Sequence, residues 1–133
     1  MRTVFLDTVG LIATWDVDDQ WHPLAEPVFR ELVRQRARLI TTPLVFYECG
    51  NAAARKLYRK AVEAFRRELR SFGDLLDPTA DDLERAWHDY ARGLAGDAGI
   101  VDHVSFAVMR RLSLTAAFTN DAHYRAAGFS TFF

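Results

Sequence analysis

The sequence predicts an α/β fold, a three-layer arrangement in which helices flank a central, mainly parallel sheet of about five short strands. Three observations carry this prediction. Short apolar runs alternate with longer stretches whose apolar residues recur at helical spacing. The strand candidates are separated by helices, the connection that parallel strands need. No repeat, low-complexity tract or linker divides the 133 residues, so residues 1–133 are expected to form a single domain.

The elements follow in order. Thr3-Val4-Phe5-Leu6 is an apolar run stopped by Asp7, and reads as a buried strand. A short helix follows through Leu11 to Trp15, and Asp16-Val17-Asp18-Asp19 is a loop. Leu24, Val28, Phe29, Leu32 and Val33 lie on one face of a helix over 22–36. Arg38 to Thr41 is a second strand. Thr42 then Pro43 is an N-cap followed by proline at the first helical position, opening a helix to about Ala54. Leu57, Ala61, Phe65 and Leu69 step by four and predict a fourth helix, with Arg59, Lys60, Arg66, Arg67 and Arg70 left for its outer surface.

Asp74 to Asp77 is a brief strand candidate. Thr79-x-x-Asp82 is a capping-box pattern, and the helix it opens has the apolar stripe Leu83, Trp87, Tyr90 and Leu94. After a loop from Gly93 to Gly99, residues 100–112 form a helix apolar at Val101, Val104 and Val108. Ala116 to Thr119 is a strand, Asp121 caps a short helix that Gly128 ends, and Phe129 to Phe132 is the last strand.

Composition narrows the function. Half the residues are hydrophobic and 26% are charged, which is globular composition. A lone cysteine, Cys49, forms no internal disulfide. No stretch approaches a membrane span and the N-terminus has no signal-peptide pattern, so a cytoplasmic location is expected. The formal net charge of −1 conceals a strong segregation. Residues 30–70 carry eleven bases and four acids, whereas residues 71–109 carry two bases and eight acids. Fifteen of the 17 bases are Arg, which grips phosphate in a bidentate way. A basic segment beside clustered acids suits a metal-dependent phosphodiester site, although a charge run is also an ordinary solvated helix face.

Four acids stand out. Asp7 and Asp121 each follow a strand, and ligands of open parallel sheets bind beyond the strands' carboxyl ends. Either acid alone also fits a plain helix N-cap. Glu48 lies among Val45, Phe46, Tyr47 and Cys49, where an unpaired carboxylate is expensive to bury. Asp102 opens a helix among apolar neighbours. Four converging carboxylates would repel one another unless a cation neutralised them, and an all-oxygen set suits Mg²⁺ or Mn²⁺. Cys49 and His22, His88, His103 and His123 lack zinc-ligand spacing.

Four stretches, Val4-Phe5-Leu6-Asp7-Thr8, Pro43-x-x-x-x-Glu48, Asp102-x-x-Ser105-Phe106-Ala107 and Thr119-Asn120-Asp121-x-His123-Tyr124 with Ala127-Gly128-Phe129, together resemble a PIN domain over essentially the whole chain. Length and organisation resemble the VapC-like ribonuclease toxins of type II toxin–antitoxin systems. The resemblance implies Asp7 and Asp102 as principal Mg²⁺ or Mn²⁺ ligands, with Glu48 and Asp121 completing the cluster directly or through water. Asp97 matches an additional acid of these toxins. Val9 stands where the family often has a hydroxyl, and Thr8 or Ser105 are candidates to supply one. The implied activity is hydrolysis of RNA by metal-activated water, leaving 5′-phosphate and 3′-hydroxyl ends, by a homodimer restrained by a small antitoxin.

Arginines of the 55–70 helix, or Arg110 and Arg111, are candidates to hold the RNA backbone. Trp15, Trp21 and Tyr47 are either base-stacking or core residues, and His103 is a general-base or structural residue. The alternative is a non-catalytic PIN-like module that binds RNA or protein. A haloacid-dehalogenase-like phosphatase needs an Asp where Val9 stands. A response-regulator receiver needs a late Lys, and the only lysines are Lys56 and Lys60.

Overall fold

The computed structural model describes residues 2–133. Its strands are β1 (Thr3–Leu6), β2 (Arg38–Ile40), β3 (Ala116–Phe118) and β4 (Ser130–Thr131). Its helices are α1 (Thr8–Trp15), α2 (His22–Arg34), α3 (Pro43–Ala53), α4 (Arg59–Ser71), α5 (Ala80–Ala91), α6 (Ile100–Arg111) and α7 (Ala122–Ala126). The four strands pair in parallel in the order β2-β1-β3-β4. Phe5 and Leu6 of the central β1 lie opposite Ala117 and Phe118 of β3, and Val4 lies opposite Leu39 of β2. The α/β class and parallel sheet are as expected. The Asp74–Asp77 segment is the difference. It contributes one bridge, Leu75 to Thr41, rather than a fifth strand.

Two groups of helices enclose the sheet. One is α1, α2, α3 and α4, and the other is α5, α6 and α7. The core is formed by β1 and β3 together with Leu11, Leu32, Val45, Phe106 and Val108. Thr41, just after β2, is fully buried and its hydroxyl donates to the Leu6 carbonyl at 2.7 Å. That bond pins the carboxyl end of β1, where the site begins. Gly10 lets α1 lie directly on β3, because a Cβ there would sit 2.1 Å from the Phe118 carbonyl oxygen.

Two helices turn differently from their sequence patterns. The inward residues of α4 are Val62, Phe65 and Leu69, while Leu57 is fully exposed ahead of the helix and Ala61 faces outward. The helix begins only at Arg59, so Leu57 is not part of its stripe. On α5 the stripe Leu83, Trp87, Tyr90 and Leu94 is exposed, and Asp82, Ala86 and Asp89 are buried. Asp82 closes the capping box with Thr79 and accepts from Arg111 of α6 at 3.0 Å, and Asp89 pairs with Arg85. The arginines at the end of α6 therefore hold the polar face of α5 inward. Among the described residues, no helix is long and apolar enough to cross a membrane.

The Gly10 contact yields a paired prediction. Gly10→Ala destabilises the fold by about 1–3 kcal/mol, the usual cost of overpacking against rigid backbone. Gly50→Ala, in the interior of α3 with open space around it, is neutral or stabilising by up to about 1 kcal/mol. Urea denaturation of both variants checks this.

Candidate metal centre

The site grows from the carboxyl end of β1. Asp7 follows the last strand residue in extended conformation (φ −95°, ψ 155°) at the N-cap position of α1, yet its side chain caps nothing. The carboxylate is buried instead. Its Oδ2 accepts from the Thr119 hydroxyl at 2.8 Å and its Oδ1 from the Tyr124 hydroxyl at 2.9 Å. Thr119 follows β3, the neighbour of β1, so sheet pairing alone brings the two together. Thr119 Oγ1 in turn accepts the Asp121 N–H at 3.0 Å. Asp121 caps α7 through the His123 N–H, and α7 carries Tyr124.

The other acids arrive from two helices. Glu48 lies in the second turn of α3 and accepts from the Thr8 hydroxyl at 2.6 Å. Thr8, one residue before Val9, thus brings a hydroxyl to Glu48. Asp102 lies in the first turn of α6, half-buried. Asp97, in the preceding loop, is exposed and its Oδ1 lies 2.6 Å from His123 Nε2.

Asp102 lies within reach of the charges of the other three acids. Asp102 is pushed up to about 7, first by burial and then by the charges of Asp7, Asp121 and Glu48. Asp7 is pushed up to about 6, chiefly by burial, with Asp121 adding to the rise and the bonds from Thr119 and Tyr124 opposing it. Among the described residues, none of Asp7, Glu48, Asp102 and Asp121 forms a salt bridge with Lys or Arg. Among the described residues their basic neighbour is His123, 2.8 Å from Asp121 Oδ1, which offsets only part of the repulsion and leaves the cluster net acidic, the setting a divalent cation fits. One oxygen each of Asp102 and Asp121 and one ring nitrogen of His123 lie within 4.8 Å of one another.

His123 is the residue that sequence spacing missed. Its nearness to Asp121 follows from the two-residue offset at a helix cap, but its reach to Asp97 depends on how the loop before α6 folds. His123 is raised, first by its bond to Asp97, and Asp97 is lowered by the same bond. His103, beside Asp102 in sequence, is not in the cluster. Its ring is buried edge-on to Tyr90 and Phe106, and burial lowers its pKa. Trp15 packs on Phe46, Tyr58 and Phe65 as a core residue, whereas Tyr47, next to Glu48, is largely exposed.

The candidate phosphate-binding arginines divide. Arg110 and Arg111 end α6, at the opposite end from Asp102. Arg111 is held by Asp82, and Arg110 donates to the Ala127 carbonyl and lies over the Phe106 and Phe129 rings. They brace the fold. Arg67 and Arg70 of α4 are exposed.

The PIN domain family profile matches residues 4–130. No protein of curated function matches. Among solved structures, the VapC20 toxin of Mycobacterium tuberculosis, described as cleaving the sarcin–ricin loop, is similar with a TM-score of 0.78 and 26% identity over 95% of each chain. A DNA-bound VapBC from Salmonella typhimurium is similar in fold, with a TM-score of 0.66 and 19% identity over 98% of this chain and 97% of that one. FitAcB from Neisseria gonorrhoeae is similar in fold too, with a TM-score of 0.64 and 17% identity over 98% and 96%.

The raised acids set a pH dependence. The folded state holds the Asp7 and Asp102 protons more tightly than the unfolded state does, so their contribution to stability falls as pH rises from about 4 to about 7. For Asp102 the loss is on the order of 2–4 kcal/mol, after allowance for solvent screening. Metal-free Asp102→Asn is expected to melt several degrees above the parent at pH 8 and close to it at pH 4.5. Scanning calorimetry with chelator present checks both values.

Proposed function

Because the chain belongs to the PIN domain family, we propose that it is an endoribonuclease dependent on Mg²⁺ or Mn²⁺ and the toxin of a type II toxin–antitoxin pair. The observation that carries this reading is the gathering of Asp7, Glu48, Asp102 and Asp121 at one sheet end with no Lys or Arg paired to them among the described residues. The similarity to a toxin described as cleaving RNA of the sarcin–ricin loop, at 26% identity over nearly the whole chain, supports the substrate class.

Asp7 and Asp102 would hold the cation, with Glu48 and Asp121 acting directly or through water. When bound, the cation supplies Lewis-acid polarisation of water and of the phosphoryl oxygens, which lets hydrolysis leave a 5′-phosphate and a 3′-hydroxyl. The protein's own part is to hold the carboxylates in fixed orientations. Thr119 and Tyr124 saturate the inner lone pairs of Asp7, so its orientation does not depend on the ligand. Thr8 does the same for one oxygen of Glu48. Tyr47 offers an exposed aromatic face beside Glu48 for a base, and the basic outer face of α4 offers phosphate contacts.

Two surfaces support the partners. Leu83, Trp87 and Tyr90 of α5, with Leu94 in the turn beyond it, are 38–53% exposed, and a second copy would cover them in a homodimer. A cleft of about 310 Å³, lined by Trp15, Val17, Leu57 and Tyr58 together with the charged Asp16, Asp18 and Lys56, opens on the other helix group and would take an amphipathic segment of a small antitoxin.

Two outcomes are expected. Asp7→Asn and Asp102→Asn reduce divalent-dependent RNA cleavage to background while circular dichroism stays that of the parent. RNA retained by the parent without any cleavage in Mn²⁺ would favour the non-catalytic module instead. Trp87→Glu shifts the sedimenting species from two chains to one, and an unchanged mass would place the dimer elsewhere.

A further inference from the structure

Asp97 and Asp121 grip the two nitrogens of one imidazole. His123 Nε2 lies 2.6 Å from Asp97 Oδ1, and Nδ1 lies 2.8 Å from Asp121 Oδ1. A carboxylate that accepts one ring N–H fixes the tautomer and leaves the other nitrogen's lone pair available, the arrangement that orients metal-bound histidines. Here the other nitrogen donates its N–H to Asp121, so a bound cation would take that nitrogen in place of the proton, and a His123 nitrogen falls within 4.8 Å of oxygens of both Asp102 and Asp121. Asp97 is almost wholly exposed, and its described side-chain partner is His123. We propose that His123 is a nitrogen ligand of the divalent cation, oriented by Asp97, and that it biases the site toward Mn²⁺ over Mg²⁺.

The chemistry of the donors supplies the bias. Imidazole binds Mn²⁺ acceptably, whereas Mg²⁺ prefers oxygen ligands throughout and parts reluctantly with water. Asp97 thereby becomes a positioning residue for His123 rather than a ligand. The inference rests on the reading that these acids hold a divalent cation, and the test separates the two. Pulsed EPR of the purified chain loaded with Mn²⁺ is expected to show nitrogen modulation from a coordinated imidazole, and His123→Gln is expected to lose it. Calorimetric titration is expected to show Mn²⁺ affinity falling roughly 10–100-fold in His123→Gln, with Mg²⁺ affinity changing less than about threefold. Failure of the parent chain to bind Mn²⁺ at all would overturn the metal reading itself. Mn²⁺ binding without nitrogen modulation, or an equal loss for both ions, would overturn the role of His123 alone. Should His123→Gln not fold, the parent spectrum still decides.

Discussion

A buried carboxylate at the end of the central strand organises this protein. Asp7 is 2% exposed and has no basic partner among the described residues, so burial and its neighbours' charge both work against its ionisation. Two hydroxyls offset part of that cost, from Thr119 and Tyr124, which lie 112 and 117 residues away in sequence. Asp7 thus ties the first strand to the last elements of the chain. Without the parallel pairing of β1 and β3 neither hydroxyl would reach it. The same pairing places Asp121 near enough to Asp7 to raise its pKa further.

The rest of the charge distribution is arranged around this concentration of acid. Several acids away from the site are paired with arginines within the fold. Asp82 and Asp89 of α5 face Arg111, Arg85 and Arg110, and Glu31 and Glu63 pair with arginines one turn along their own helices. Those exposed pairs contribute little stability. The contrast with Asp7, Glu48, Asp102 and Asp121 is what matters. Among its described residues, a near-neutral chain keeps four carboxylates without a Lys or Arg partner at one end of its sheet, and this local imbalance, rather than the net charge of −1, describes its chemistry.

Most of the fold was legible because its signals are local. Apolar runs marked β1 and β3, Thr42-Pro43 marked the start of α3, and the Thr79–Asp82 capping box formed as its spacing required. The failures arose where partners distant in sequence decide. The apolar stripe of α5 faces outward because arginines on α6 hold the opposite face, and no window of α5 contains those arginines. The fifth strand shrank to a bridge because the Asp74–Asp77 segment pairs in the sheet with Thr41 alone, through Leu75. At the site, residue types and order were readable for the four acids, but the roles of Thr119, Tyr124 and His123 were not. Each acts through a bond to an acid whose position is set by sheet pairing, helix capping or a loop.

The central claim is that the raised acids form a cation site. Calorimetric titration of the chelator-treated chain with Mn²⁺ at pH 6.5, repeated in buffers of different ionisation enthalpy, tests it most directly. Asp102, with a pKa of about 7, and Asp7, with a pKa of about 6, are partly protonated at that pH, so saturable Mn²⁺ binding should release protons to the buffer, and release should vanish by pH 8.5. Absence of saturable binding, or binding that releases no proton at pH 6.5, would contradict a metal centre built on these carboxylates.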